Sequence, residues 1–118
     1  MAQIPAPEIP RLLRVLLNNL YEIESKLALH SDAGNIGRNV ERMKEALAEE
    51  GVFYEDPLGQ PFKETRTDLE ATISGQSTED LFVTEVIKPV IRIGRAQISR
   101  VVQKGIVVVQ SKQNGSEG

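Results

Sequence analysis

His30 is the single histidine of the chain and stands directly before Ser31 and Asp32, residue types that can supply a base, a nucleophile and its partner. Adjacent polar residues at a turn are commonly caps, however. A histidine at a helix end also meets the C-terminal dipole favourably, and that structural role is the preferred reading. Glu45, Glu49 and Glu50 read as a solvated helix face rather than a carboxylate pair in a cleft. Phosphate-cradling loops of the GxG and Walker types are absent. Gly94-Arg95 and Gly105 read as strand connections whose glycines permit positive φ. With no cysteine there is no disulfide framework and no thiolate metal site. The expectation is no catalytic residue, no metal ligand and no cofactor: a non-enzymatic interaction protein.

Composition narrows the partners. A chain of 118 residues makes one domain, or one protomer of a small assembly. Aromatics are 4% and tryptophan is absent, so the core must be aliphatic. The net charge of −3 is spread over interspersed acids and bases, which gives no electrostatic case for nucleic acid or an anionic membrane. No apolar run reaches transmembrane length, and the start lacks the basic-then-apolar order of a signal peptide. A cytoplasmic location is expected.

The elements that would present a binding surface follow from the apolar spacing. Residues 1–9 carry Pro5 and Pro7, with Pro10 after them, and predict an extended arm. Residues 10–51 predict a helical hairpin. Pro10 suits a first helical turn, and no Gly or Pro follows until after Leu29. Leu13, Leu16, Leu20, Ile23 and Leu27 recur at alternating steps of three and four, a heptad seam widened by Leu12, Val15 and Leu17. After a turn at 30–34, with Ser31 or Asn35 as a cap, a second helix from Ile36 to Glu50 carries Ile36, Val40, Met43 and Leu47. Gly51 closes it, and Gly37 predicts a frayed or late start. Two antiparallel helices cannot cover both stripes against each other. A two-fold dimer forming a four-helix bundle covers them, each buried Leu or Ile contributing about 1.5–3 kcal/mol. The alternative is that both stripes pack on the chain's own β-subdomain.

Residues 52–110 predict that β-subdomain. VFYED reads as a short strand and PLGQPF as a turn. Residues 64–80 read as a loop or one helical turn. Val86-Ile87, Val90 to Ile93 and Ile98 to Val109 read as β-branched runs punctuated by Pro89, Gly94 and Gly105. Pro89 cannot donate to a ladder, so its strand is an edge or is bent there. The tail, 111–118, is disordered by composition. The fold class is thus α+β: an N-terminal helical hairpin forming a dimeric four-helix bundle, followed by a small C-terminal β-domain.

Taken in order, Gly94, Arg100, Val107 and Val109 resemble the closing signature of the GrpE family, G-Y-x-x-x-G-R-x-(aliphatic)-R-x-(small)-x-V-x-V. Arg95, Ser99, Gln103 and Lys104 depart from it. Leu13 with Leu16, Leu17, Asn18, Asn19 and Leu20 resembles that family's L-x-P-V-L-D-N-L segment, with Val15 for Pro and Asn18 for Asp. Met43, Leu47, Gly51 and Val52 resemble its (L/M)-x-x-x-L-x-x-x-G-V. Phe62 alone is kept from F-(D/N)-P-x-x-H-x-A-(V/I). The family's members carry a long paired helix ahead of the bundle, which this sequence lacks; its native-looking start favours a naturally short homologue over a truncated one. Functions of that helix are therefore not carried over. The resemblance implies a homodimeric exchange factor whose β-domain binds the nucleotide-binding domain of an Hsp70 chaperone and promotes ADP release. It places Ile91, Gly94, Arg100 and Val109 on the contact strands, with Arg100 as the anchor. The two helical seams, Leu13, Leu16, Leu20, Ile23 and Leu27 with Ile36, Val40, Met43 and Leu47, are expected to form the dimer interface. The alternative is a dimeric scaffold of the same fold without exchange activity.

Overall fold

A computed structural model describes residues 9–31, 34–95 and 97–112. Two helices, α1 (Arg11–Leu29) and α2 (Ile36–Glu49), precede six strands: β1 (Val52–Glu55), β2 (Leu69–Ser74), β3 (Leu81–Lys88), β4 (Val90–Arg95), β5 (Ile98–Gln103) and β6 (Gly105–Ser111). The class is α+β. The arm expected at 1–9 lies outside the described residues except for Ile9, and so does the tail beyond Lys112.

α1 runs uninterrupted because nothing between Arg11 and Leu29 breaks it. Pro10 stands one residue before the helix rather than in its first turn, with φ −54° and ψ 143°. Asn35 occupies the cap position of α2 in left-handed conformation, φ 58°, without a side-chain cap bond. α2 begins at Ile36 in spite of Gly37, so the late start expected there does not occur. Gly51 closes α2 at φ 81°, its N–H donating to the Ala48 carbonyl at 2.8 Å.

The strands form two three-stranded sheets, ordered β1-β4-β5 and β2-β6-β3. β6 is central in the second, parallel to β2 and antiparallel to β3. Its alternation is regular: Gly105, Val107, Val109 and Ser111 are buried, and the residues between them are half-buried. The segment expected as a loop or helical turn contains β2 instead. Polar Glu70, Thr72 and Ser74 hide the strand in the composition, and only its ladder with β6 makes it one. The chain changes sheets at Pro89 and again at Lys104. Gln103 Nε2 donates to the Pro89 carbonyl at 3.0 Å and ties the two bends.

Two compact units result. One comprises Met1–Tyr54 and Ile91–Val102, the other Glu55–Val90 and Gln103–Gly118. In the first, Ile9, Leu17, Val52 and Ile91 form a buried cluster, with Leu13, Leu47, Tyr54, Ile93 and Val102 packed on it. Helix residues and strand residues thus share one core. In the second, Leu69, Leu81, Val83, Val90, Val107 and Val109 are buried.

Candidate interaction surfaces

Each residue of an α-helix turns about 100°, so a step of three from Leu13 to Leu16 lands about 60° to one side. That offset divides the seam. Leu13 and Leu17 face the shared core. Leu20 and Val40 are buried within the protomer, and Leu13, Leu27 and Leu47 are half-buried. Leu16, Ile23, Ile36 and Met43 remain 44%, 40%, 51% and 45% exposed. Leu16, Leu20, Ile23, Met43, Ala46 and Leu47 line an open groove of 390 Å³ between α1 and α2, with Asn19 at its edge. Contiguous exposed apolar side chains of this kind mark an interaction surface.

A polar cluster joins α1, α2 and β1. Lys44 Nζ lies 2.9 Å from Glu24 and 3.5 Å from Glu41, and the Tyr54 hydroxyl donates to Glu24 Oε1 at 2.8 Å. The ammonium also sits 5.1 Å from the Tyr54 ring centre, and Tyr21 meets that ring edge-on at 5.8 Å. Partial burial pushes the Glu24 carboxyl up, but hydrogen bonds from Lys44 and Tyr54, with the Lys44 charge, outweigh it and hold the group below its ordinary value. Burial lowers Lys44; its bonds and charge attraction to Glu24 and Glu41 prevail and raise it. Both groups are therefore held ionised, which makes the cluster a fastener rather than an acid or base. Sequence reasoning did not single out these residues. Glu24, Lys44 and Tyr54 are separated by 20 and 30 positions, with no spacing to connect them.

On the strands, Arg100 is exposed on β5, an edge of its sheet. Gly94 adopts φ 124°, and a Cβ there would fall on the Ile98 carbonyl oxygen and 2.7 Å from Ser99 Cα. The β4–β5 connection therefore needs glycine on steric grounds alone. Ile91 and Val109 are 0% exposed. The resemblance places both on the contact strands; within the protomer their side chains fill the interior. Arg95 Nη2 donates to the Glu49 carbonyl at 3.2 Å, meeting one of the open carbonyls in the last turn of α2.

His30 follows the last residue of α1, its backbone N–H donating to the Lys26 carbonyl at 3.0 Å. Ser31 is exposed, and Asp32 lies outside the described residues. Glu45, Glu49 and Glu50 are exposed. Arg66 grips Asp68 through two bonds, 3.1 and 2.8 Å, and also reaches Gln60 and the Pro61 carbonyl, which fixes its loop. Among the described residues no three His, Cys, Asp or Glu side chains are grouped to hold a metal ion, and no helix is long and apolar enough to cross a membrane. Compared with protein-family models, curated proteins and solved structures, the chain matches none of them.

Proposed function

We propose that this chain is a GrpE-like, non-enzymatic co-chaperone of the cytoplasm, dimeric through its helical hairpin. The observation that carries the reading is the apolar groove of Leu16, Ile23 and Met43 on a helix pair whose other side is already covered. A second copy applied to that groove completes a four-helix bundle. The ordered resemblance then supplies the partner, the nucleotide-binding domain of an Hsp70. Arg100 supports this, being a cationic side chain exposed on an edge strand. Binding the open form of that domain more tightly than the closed one shifts its equilibrium and releases ADP, which requires only differential affinity.

Release of a fluorescent ADP analogue from the host's Hsp70 tests the proposal. The wild-type chain accelerates release. If Arg100 makes a charge-assisted bond worth about 1.5–3 kcal/mol, Arg100→Ala weakens binding roughly 10- to 100-fold with the thermal midpoint nearly unchanged. No acceleration by the wild type favours the second reading, a dimeric scaffold without exchange activity. One observation already favours that reading: Arg95, where the family has an aromatic, is engaged with the end of α2.

A further inference from the structure

The sheet β2-β6-β3 has two edges, and they are treated differently. Beside β3 runs the segment 59–62: Gly59 N–H donates to the Val83 carbonyl, Val83 N–H to Gln60, and Phe62 N–H to Leu81, each at 2.9 Å. β3 is also broken in register between Val83 and Glu85 and between Val86 and Lys88. Both are devices that keep a sheet edge from pairing further. β2 has neither. It holds an unbroken register with β6 over Leu69–Ser74, contains no Lys or Pro, and among the described residues no backbone hydrogen bond reaches its outer side.

The phase of the ladder identifies the open groups. Gly105 N–H donates to the Asp68 carbonyl at 2.9 Å, and Leu69 pairs with Gly105. In a parallel ladder the backbone groups of Glu70, Thr72 and Ser74 then face β6, and those of Leu69, Ala71 and Ile73 face outward. Ile73, 42% exposed, also lines a pocket of 440 Å³ with Phe62, Leu81, Lys63, Glu64 and Asp80. The edge demands an extended backbone, and the pocket floor of Phe62, Ile73 and Leu81 suits an apolar side chain. Of the charged residues that line the pocket, Glu64 and Asp80 outnumber Lys63, and Glu70 is exposed on the other face of β2, so acids border the edge on both faces and favour a basic segment.

We infer that β2 is a docking edge for an extended, basic segment of a partner protein, which adds to the sheet as a further strand and places an apolar side chain in the pocket beside Ile73. The site belongs to a different compact unit from Arg100 and does not depend on Hsp70 binding.

Fluorescence anisotropy with the full chain tests it. The probe is a labelled eight-residue peptide alternating lysine with leucine and valine. Its controls have glutamate for lysine, or N-methylated amides along one or the other edge. The lysine peptide binds; the glutamate peptide and one of the N-methylated forms bind at least about tenfold more weakly. Ala71→Pro removes an outward N–H while sparing the ladder to β6, and Glu64→Lys reverses a charge at the pocket. Each weakens binding by about tenfold, with the thermal midpoint held within a few degrees. Should Ala71→Pro fail to fold, the N-methylated peptides make the same test on unaltered protein. Equal binding of both N-methylated forms and the parent overturns strand addition, and no binding of the lysine peptide at about 100 μM protein overturns the site. A self-association that Ala71→Pro abolishes, and that excludes the peptide, assigns the edge to a second copy instead.

Discussion

The two sides of the helical hairpin are made of the same residue types and meet opposite fates. Leu13, Leu17 and Leu47 pack with Val52, Ile91, Ile93 and Val102 in a core where Leu17 is 1% exposed. Leu16, Ile23 and Met43, on the same two helices, lie open. An apolar stripe of about 100° or more is what faces a core, and the apolar residues of this hairpin extend past the part its core covers. Here the chain's own strands cover one flank, and among the described residues the other lies open. The two models open to a sequence reader, a bundle dimer or packing on the β-part, are therefore not exclusive. Leu20 shows the join, lining the groove while only 5% exposed. A charge placed there damages the protomer as well as any dimer, and Ile23 makes the cleaner test.

The comparison breaks most severely on the covered side. Leu17→Ala removes a fully buried side chain and lowers unfolding free energy by about 2–5 kcal/mol. The loss shows in urea titrations at any protein concentration. On the open side, Ile23→Asp puts a charge into a proposed dimer interface and weakens association by about 2–3 kcal/mol. Sedimentation at micromolar concentration then finds the variant monomeric, and its melting temperature loses the concentration dependence that a dimer has. A wild type that sediments as a monomer removes the bundle dimer.

Tyr54→Phe sharpens the contrast from the polar border of the covered side. It deletes the hydroxyl bond to Glu24 while keeping both ring contacts, at a cost of about 1 kcal/mol. Smallest is the effect of pH on the Glu24–Lys44 pair, which is about a third exposed and worth about 0.5–1 kcal/mol after solvent screening. Because Glu24 titrates below its ordinary value, its share is complete above the unfolded carboxylate pKa and fades as acid reaches the lower folded value. Lys44 titrates above its ordinary value, so its share persists through neutral pH and fades only in strong alkali. Glu24→Gln flattens the acid limb; an unchanged limb sinks this account.

Local chemistry was enough to read much of the chain. The α1 span, the close of α2 at Gly51, the turn near Pro57 and Gly59, and the β-branched runs around Gly94 and Gly105 all express preferences that act over a few residues. The bend at Pro89 belongs with them, since a missing N–H ends a ladder wherever it stands. β2 was not legible, because Leu69–Ser74 becomes a strand through a partner more than thirty residues away rather than through its own composition. Nor was the interior position of Ile91 and Val109, for a valine or isoleucine in a strand reads alike whether its neighbours cover it or not. The Glu24–Lys44–Tyr54 cluster likewise exists only once α1, α2 and β1 converge. Period and turn chemistry determine where an element runs and which flank is apolar. What covers each flank depends on contacts between residues far apart in the chain, and only the tertiary structure decided that the hairpin keeps one flank for its own strands.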